Sequence, residues 1–592
     1  MQPTPAPQAP AEPAAAEIAR LAEVIARRRQ GLVDEDDFRR LRLHHGIYGI
    51  RGQSDIQMVR VRLPAGALNA AQCERLGEIV DRFGRGVGHL TTRQDIELHW
   101  VGLERVPEVL RLLDEVGLTT REAGGNVVRN ITVCPLAGVC TGEVFDVTPH
   151  AAAVSRHLLR NPVGQRLPRK FKIAFSGCAT DCAVVGIHDV GALAVVREEA
   201  GMRHLGFRVY VGGGLGAAPR AAQLLEPFTP AEQLIPTVES LVRVFDRLGN
   251  RDDLARARLK FLVADLGIDA VREAVLRERR LLWSAWPGPP PPPVAPADSS
   301  VIAQSLQAEA SPSPRPSDPR GAPPGALPPE APQPRRVPLA FGPWHRTNVQ
   351  PQRQPGYRVV YVIVPGGDLT GQQLRALAAL LRRVPGLELR TEIGQNVVLR
   401  WVPEAWLPSV YVALAGAGLG EPGAHGIADV VSCPGADTCN LAITYAHRLG
   451  LELGRRLAER PDLGRADDLR GVHIGVSGCT NACGQHHLAT IGLYGGVRKV
   501  GTRQVPSYEL LLGGEVRDGS VTFAQPVMRL PARRVPDAVF RLIDRYRTER
   551  LAGESFLGWV RRKQETPPGD GPEPGEPTAA RAEPTHETGG PR

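Results

Sequence analysis

Eight of the nine cysteines form two sets with the same internal spacing, and their thiols are well suited to redox chemistry. In each set a C-x5-C pair precedes a C-x3-C pair, with 37 intervening residues in the first set and 39 in the second. Four thiolates that converge from short loops are what a [4Fe–4S] cluster requires. Four-cysteine zinc sites are the alternative, although they usually use tighter C-x2-C pairs. The first set is Cys134, Cys140, Cys178 and Cys182, and the second is Cys433, Cys439, Cys479 and Cys483.

The elements that must position these cysteines also occur twice. VRVRLPAGALNAAQCERLGEIVDRF in the first half corresponds to YVIVPGGDLTGQQLRALAALLRRV in the second, and each pattern predicts a strand, a glycine turn and an amphipathic helix. A second strand follows in each half, HLTTRQDIELHWV or LRTEIGQNVVLRWV. We therefore predict a gene duplication and an α+β or α/β fold with large mixed sheets. Cys73, in the first of these helices, is predicted to be a core thiol.

Composition divides the chain into two folded blocks and three segments poor in core residues. Residues 1–15, 287–355 and 564–592 are dominated by Pro, Ala, Gly, Ser and Glu, which cannot bury enough apolar surface to offset chain entropy. The predicted boundaries are a tail with a leading helix at 1–34, a first half at 35–120 and 121–286, a disordered linker at 287–355, a second half at 356–418 and 419–563, and a disordered tail at 564–592.

The overall composition, 42% hydrophobic and 23% charged residues, is that of a soluble globular protein. No apolar run approaches the length of about 18 residues that a membrane span requires, and the N-terminus lacks a secretory signal, so we expect a cytoplasmic protein without a membrane partner. The net charge of +9 is compatible with an acidic partner, an anionic substrate or a solvated surface alone. No nucleic-acid-binding motif occurs in its required context.

Several short motifs around the cysteines resemble those of the ferredoxin-type nitrite/sulfite reductase haemoprotein family. They are LTTRQDIELHW, RNITVCP, LPRKFK, SCPGADTC and SGCTNACGQHH. The resemblance covers nearly all of both blocks in order and leaves out only the Pro-rich tails and linker. It implies a duplicated α+β fold whose two pseudo-symmetric halves each contain a ferredoxin-like α/β piece, at 35–120 and 356–418, followed by a larger mixed α/β sheet domain. It also implies two coupled cofactors, sirohaem and a [4Fe–4S] cluster.

The resemblance further implies one active site at the junction of the two halves. The second cysteine set would hold the cluster, and its last cysteine would also ligate the sirohaem iron. Cations from the first half would bind the oxyanion on the distal face, where lysine can also donate protons. The implied catalytic positions are Arg93, Arg129, Lys170 and Lys172, and the implied cofactor-binding positions are Arg169, Gln395, Asn396, Asn481 and Cys483.

The duplication provides an internal comparison of the two junctions. Alignment of the halves places Gly394 opposite Arg93 and Ala428 opposite Arg129. The same registers place Gly471 opposite Lys170 and His473 opposite Lys172. The cationic set is therefore present at one junction only, which predicts a single catalytic centre.

The first cysteine set departs from the family pattern, since many members lack it. We hypothesise that Cys134, Cys140, Cys178 and Cys182 hold a second [4Fe–4S] cluster, which could relay electrons or ligate a non-catalytic sirohaem. The alternative is a vestigial set left by the duplication.

The function that these inferences favour is six-electron reduction of sulfite to sulfide. LPRKFK, with two lysines, is typical of sulfite-reducing relatives, whereas nitrite-reducing ones tend to have LPRKWN; nitrite reduction to ammonia remains the first alternative. Precorrin-3B synthase-like monooxygenase activity and a non-enzymatic electron-transfer role are further alternatives. No flavin- or dinucleotide-binding motif is present, so ferredoxin or a separate flavoprotein would supply electrons to what we expect is a monomer.

Overall fold

The structure, a computed structural model, describes residues 13–284, 334, 336–464 and 467–565. In the first half, the strand, turn and helix predicted at 59–83 are present, but the second strand predicted at 89–101 is wrong, since a turn with Arg93 and Gln94 divides it into two strands. The strands are β1 Ile47–Ile50, β2 Gln53–Val61, β3 Ala67–Leu68, β4 Val87–Leu90, β5 Ile96–Gly102, β6 Thr132–Val133, β7 Ile173–Ser176, β8 Val190–Glu199, β9 Met202–Val211 and β10 Gln223–Pro230. The helices are α1 Ala14–Arg29, α2 Glu35–His44, α3 Ala70–Phe83, α4 Val106–Asp114, α5 Thr148–Leu158, α6 Leu234–Leu248, α7 Leu259–Leu266 and α8 Ile268–Ser284.

The second half repeats this order. Its strands are β11 Val349–Pro351, β12 Tyr357–Val362, β13 Asp368–Thr370, β14 Glu388–Thr391, β15 Val397–Pro403, β16 Val431–Ser432, β17 Ile474–Ser477, β18 Ile491–Val500, β19 Arg503–Leu512, β20 Glu515–Arg517, β21 Ser520–Thr522 and β22 Gln525–Pro531. Its helices are α9 Phe341–Asn348, α10 Gly371–Arg383, α11 Leu407–Gly416, α12 Ala446–Ala458, α13 Pro461–Gly464, α14 Val535–Glu549 and α15 Phe556–Glu565. No described helix is both long and apolar enough to cross a lipid bilayer.

The strands form four five-stranded sheets, two in each half, and the two smaller domains exchange one strand. The sheet β1-β2-β5-β4 is completed by β13 from the second half, and β11-β12-β15-β14 is completed by β3 from the first. The other two sheets, in the order β10-β9-β8-β7-β6 and β16-β17-β18-β19-β22, carry the cysteine loops. Because each small sheet needs a strand from the other half, the two halves form one folded unit.

Helices α3 and α10 pack against each other across this exchange and join the two small domains in one hydrophobic core. Both begin with a capping box, Asn69 with Gln72 in α3 and Thr370 with Gln373 in α10. Cys73 is fully buried in the shared core, where burial raises the pKa of its thiol to about 12. The prediction of a core thiol is confirmed.

The predicted linker at 287–355 is too long at its C-terminal end. Helix α9 and strand β11 lie inside it, and β11 pairs with β12 through Val349 and Val360. Trp344 of α9 is fully buried, and its ring lies 5.0 Å from that of Tyr411. A few aromatic residues therefore fold a segment whose average composition indicates disorder. Residues 287–333 and 335 of the predicted linker, and residues 1–12 and 566–592 of the two predicted tails, lie outside the described residues.

A His–Asp–His cluster connects the exchanged strand β13 to both neighbours. Asp368 Oδ1 lies 2.7 Å from His89 Nδ1 of β4, and Asp368 Oδ2 lies 3.2 Å from His447 Nε2 of α12. These ligand atoms lie within 4.8 Å of one another, as a metal site requires. However, the Gln395 amide lies 3.2 Å from His89 Nε2, and its oxygen already accepts a hydrogen bond from Ser432 N. Its NH2 group therefore donates to His89 Nε2, which leaves the ring proton on Nδ1, and the cluster is a hydrogen-bonded network.

The pKa shifts in this network predict a pH-dependent stability. Burial opposes ionisation of Asp368, but hydrogen bonds from His447 and His89 outweigh it and lower the pKa of Asp368. Burial likewise disfavours the His447 imidazolium, but the bond to Asp368 raises its pKa. The Asp368 contribution is lost as pH falls below the ordinary aspartate pKa of about 4, and the His447 contribution is lost as pH rises above about 6.5.

We therefore expect Asp368→Asn to destabilise the protein by about 1 kcal/mol near pH 5.5 and by less at pH 8.5. The measurement is the difference in Tm between wild type and variant at the two pH values. Glu404→Gln is the matched control, because Glu404 pairs with Arg358 and not with a histidine. A difference in Tm between wild type and Asp368→Asn that is equal at both pH values would contradict these pKa shifts.

Candidate active site at the junction of the halves

Two glutamines with left-handed backbone conformation define the junction. Gln94 has φ 58° and Gln395 has φ 66°, and the two lie 301 residues apart in equivalent turns. Gln94 Nε2 donates across the halves to Thr391 O at 2.9 Å, and Gln395 Nε2 donates to Leu90 O at 2.8 Å. The pseudo-symmetry inferred from the sequence is thus repeated in hydrogen bonds, and the cysteine register that places Gly394 opposite Arg93 agrees with it.

The second-half cysteines lie on loops that leave parallel strands at the same edge of a sheet. Cys433 follows β16 and Cys479 lies just beyond β17, and these two strands pair in parallel. Gly478 N donates to Cys433 Sγ at 3.2 Å, which holds the two loops together. Burial, followed by the nearby Cys483 thiol, raises the pKa of Cys433. Cys483 is the exposed member of the set, as a ligand shared with a second group should be.

The first-half cysteines converge in the same way. Cys134 follows β6 and Cys178 lies just beyond β7, again a parallel pair. The Cys134 thiol lies near that of Cys182, and the Cys140 thiol lies near that of Cys178 and lowers the pKa of Cys178 to about 5. The first set is therefore assembled in space as fully as the second.

The spacing of the thiols in both sets fits a cluster better than a single zinc ion. Sulfur ligands of tetrahedral zinc lie about 3.8 Å apart, since each Zn–S bond is about 2.3 Å. Within the part of the chain that the structure describes, the only three possible ligand atoms mutually within 4.8 Å are those of His89, Asp368 and His447. Each cysteine set is therefore wider than a mononuclear site.

The four predicted substrate cations lie on the same side of the junction as Cys483. Thr92 Oγ1 donates to Cys483 O at 2.8 Å, which brings the Arg93 turn against the last cysteine. Lys170 and Lys172 alternate around buried Phe171 in an extended segment that leads into β7, and both sense the charge of Cys483. Tertiary structure thus joins first-half cations to the second-half cysteine set.

The two lysines have unusual electrostatics. Burial, followed by Arg258 and Arg129, lowers the pKa of Lys170 to about 7. Burial, followed by Arg93 and Lys170, lowers the pKa of Lys172 well below its ordinary value. Neither ammonium group has a hydrogen bond or ion pair with any described residue. Such cations favour an anionic occupant, because an anion would restore their charge.

The two arginines are held more rigidly. Arg93 donates to Thr132 Oγ1 at 3.1 Å and contacts His188 Nε2. Arg129 donates to the backbone oxygens of Ala123 and Gly125 at 2.8 Å each. These contacts fix both guanidinium groups before any ligand binds, as preorganised electrostatic stabilisation requires.

Three residues that sequence reasoning missed support this arrangement. Asp189, which is fully buried, accepts from Lys172 N at 2.8 Å and from Arg258 Nη2 at 2.8 Å. His188 contacts Arg93 through Nε2. Its Nδ1–H donates to Val184 O at 2.8 Å, because a carbonyl oxygen can only accept. Arg258 lies far from the cysteine words along the chain, so only the HD dipeptide after Cys182 could have indicated this group.

Comparisons with known proteins agree with the site. The family described as "Nitrite/Sulfite reductase ferredoxin-like half domain" matches residues 50–116 and 350–417, and "Nitrite and sulphite reductase 4Fe-4S domain" matches 124–282. The assimilatory ferredoxin-dependent nitrite reductase of Haloferax mediterranei is 30% identical over 522 residues, which cover 86% of this chain and 82% of the relative. This chain belongs to the ferredoxin-dependent nitrite/sulfite reductase family. It is therefore an oxidoreductase.

Two further similarities are to proteins of Mycobacterium tuberculosis. A sulfite reductase (ferredoxin) of Mycobacterium tuberculosis is 29% identical over 514 residues, covering 86% of this chain and 82% of the relative. The solved structure of Mycobacterium tuberculosis NirA protein aligns with a TM-score of 0.72 and 26% identity, and the alignment covers 92% of this chain and 96% of the other. The predicted duplicated fold is confirmed.

The remaining predicted cofactor residues differ in how much they offer to a ligand. Asn481 is exposed, and its side chain hydrogen-bonds the Cys479 thiol. Arg169 is partly exposed, and burial followed by Arg258 lowers its pKa. Gln395 and Asn396 are buried, and their amides bond within the protein, Asn396 to Val364 N and Asp429. In this reductase, the Gln395 and Asn396 side chains stabilise the geometry of the junction through these hydrogen bonds.

The family implies sirohaem, and the residues of this junction fit it. A macrocycle with many carboxylates needs cations that the protein itself leaves unpaired, and Lys170 and Lys172 are of this kind. Cys483, exposed beside them, would ligate its iron, and Arg169 would meet a carboxylate. When bound, the group supplies one-electron redox chemistry at an open iron position.

The other junction of this reductase has the opposite character. A Cβ atom at Gly394 would lie 3.1 Å from Glu392 Oε1, so a carboxylate occupies the direction of the Arg93 side chain. Glu392 pairs with His425 at 2.9 Å, and despite burial this raises the pKa of His425 to about 9. Asp429, also in this network, accepts from His425 N at 3.0 Å. The predicted absence of the cationic set is accompanied by two acids, the buried Glu392 and the half-buried Asp429.

Proposed function

We propose that the enzyme reduces sulfite to sulfide by six electrons at the junction of Lys170 and Lys172 with Cys483. The observation that carries this proposal is that both lysines of LPRKFK lie on the Cys483 side without a partner in the described chain. Sulfite has three oxygens and reaches a dianionic state, so it gains more from two ammonium groups than nitrite does. The same lysines can donate the protons that each S–O cleavage consumes.

Nitrite is the second candidate, because the Haloferax mediterranei relative is a nitrite reductase with comparable similarity. The test is steady-state reduction of both anions with reduced methyl viologen and a comparison of the two kcat/KM values. A higher kcat/KM for sulfite supports the proposal. A clearly higher kcat/KM for nitrite would contradict the proposal and favour reduction of nitrite to ammonia.

We also propose that the first-half cysteines hold a second [4Fe–4S] cluster. Their four thiols converge and, like those of the second half, are spread more widely than a zinc ion requires. A second sirohaem is not favoured, because the buried Glu392 and the half-buried Asp429 would repel its carboxylates at the junction that faces this set.

Metal analysis tests this second cluster. The anaerobically purified enzyme is expected to contain about nine irons and one sirohaem per chain, whereas Cys134→Ser should lower the iron content by about four and leave sirohaem unchanged. Cys73→Ser is the matched control, since Cys73 lies in the core of the small domains. About five irons in the wild type would show that the first set is empty.

Ferredoxin is the electron donor that we propose, and an apolar surface beside Cys439 supports a protein donor. Leu441, Ile443 and Tyr445, which we call the Leu441 patch, are exposed by 70%, 44% and 52%. Arg448 lies over the Tyr445 ring at 4.6 Å and donates from Nε to Asp437 Oδ1 at 2.8 Å, so a donor would meet the patch mainly through apolar atoms.

Leu441→Ser is expected to raise the KM for ferredoxin about tenfold and to leave the methyl viologen rate unchanged, since the small dye needs no docking surface. Leu254→Ser is a matched control, because Leu254 is also exposed, by 62%, but lies in the first half. Equal KM values for ferredoxin in all three proteins would refute this docking surface.

A further inference from the structure

The first-half cysteine loop is contacted by a buried arginine with unused hydrogen-bond donors. Arg400 of β15 is fully buried, and its Nη1 donates to Pro135 O at 3.4 Å. Its Nε and Nη2 groups have no hydrogen-bond partner, and its nearest carboxylate, that of Glu388, is 3.5 Å from Nη2. A buried guanidinium with unused donors is costly unless an anion lies nearby.

A second arginine approaches the same loop. Arg390 of β14 is 4% exposed, and its Nη1 lies 3.4 Å from Cys134 O, to which it donates. Its Nη2 donates to Thr148 Oγ1 at 3.3 Å. Burial, followed by Arg400, lowers the pKa of Arg390 to about 10, so it stays charged at neutral pH. Two permanent cations from the second half therefore face the first-half cysteines.

The equivalent positions in the first half carry histidines. His89 and His99 lie 301 residues before Arg390 and Arg400. His89 bonds Asp368 and Gln395, and His99 bonds Glu97 at 2.9 Å, so neither ring donates to the second-half cysteine loop. Of the two equivalent pairs, only Arg390 and Arg400 therefore place permanent positive charge beside a cysteine loop.

Three acidic residues lie near the arginines, and each is partly exposed or has another partner. Glu388 is 26% exposed, and its charge is therefore screened by water. The carboxylate of Glu143 accepts from Gly138 N at 2.8 Å and binds the exposed Arg353. Asp146 lies by the same loop, where its carboxylate accepts from Thr148 N at 2.8 Å.

We propose that Arg390 and Arg400 raise the reduction potential of a first-half [4Fe–4S] cluster and so favour its reduction. This inference rests on the second cluster proposed above. A cluster held by four thiolates is anionic and gains one further negative charge on reduction by a one-electron protein donor, with no bond formed or broken. Buried cations stabilise this more negative state.

The test is an EPR-monitored redox titration of the holoenzyme together with iron analysis. The first-half signal is identified as the one that Cys134→Ser abolishes. Arg400→Met should lower the midpoint potential of this signal and leave that of the catalytic cluster unchanged, and Arg400→Lys should restore it in part by keeping the charge. Arg375→Met is the matched control, because Arg375 pairs with Asp81 on the helix interface.

The outcomes separate the two proposals. Iron for one cluster only would overturn the second cluster itself, and with it this inference. Two clusters with an unchanged first-half potential in Arg400→Met would overturn the inference alone. If Arg400→Met does not fold, Arg390→Met serves in its place, since Arg390 retains partners in Cys134 O and Thr148 and approaches the same loop.

Discussion

Replacement of Cys483 by serine is expected to abolish oxyanion reduction while the protein remains folded. Cys483 is the exposed member of the second-half set and the one beside the lysines, so its thiolate is the group best placed to ligate both cluster and sirohaem iron. Loss of outer-shell partners of metal ligands already costs about 10- to 100-fold. Loss of this direct ligand should therefore lower kcat by more than about 100-fold.

The fold should tolerate this change because the contact made by Cys483 to the first half uses its backbone oxygen, which accepts from Thr92 Oγ1. The measurements are the visible spectrum, iron content and kcat with reduced methyl viologen. Cys73→Ser is the control for the same chemical change at a buried core position, and it should lower Tm but keep activity per sirohaem. A Cys483→Ser enzyme with an unchanged spectrum and kcat would exclude the proposed ligand role.

Replacement of Lys172 by asparagine is expected to lower kcat/KM for sulfite by about 100-fold and to affect nitrite less. The change removes an ammonium group that lies among Arg93, Lys170 and Cys483 and has no other partner in the described chain. Lys172→Arg keeps the charge and should retain more of the sulfite activity. An equal loss of kcat/KM for both anions would contradict the proposed relation between the LPRKFK motif and substrate preference.

The neighbouring Lys170 adds a pH dependence to the same experiment. Its pKa of about 7 means that the site loses a positive charge as pH rises through neutrality, whereas a bound anion favours the protonated form. The KM for nitrite, whose own charge is constant over this range, should therefore rise above pH 7 in the wild type. Lys170→Arg should show a flatter profile, and parallel profiles for the two enzymes would contradict the assignment.

Local sequence was sufficient for much of the fold. The capping boxes of α3 and α10 and the apolar stripe that buries Cys73 are readable from neighbouring residues, because helix periodicity and capping are local. The α9 segment was missed for the opposite reason. Its Pro-rich surroundings dominate the composition, while the burial of Trp344 against Tyr411 depends on a residue 67 positions away.

The sequence by itself determined the duplication, the two cysteine sets and the family, since all three depend on residue types at fixed spacing. Only the tertiary structure decided which groups face each other. The strand exchange of β3 and β13 sets Lys170 and Lys172 beside Cys483, and it sets Arg390 and Arg400 beside Cys134 and Pro135. Such pairs lie hundreds of residues apart, and their charges interact through a low-dielectric interior that no local pattern records.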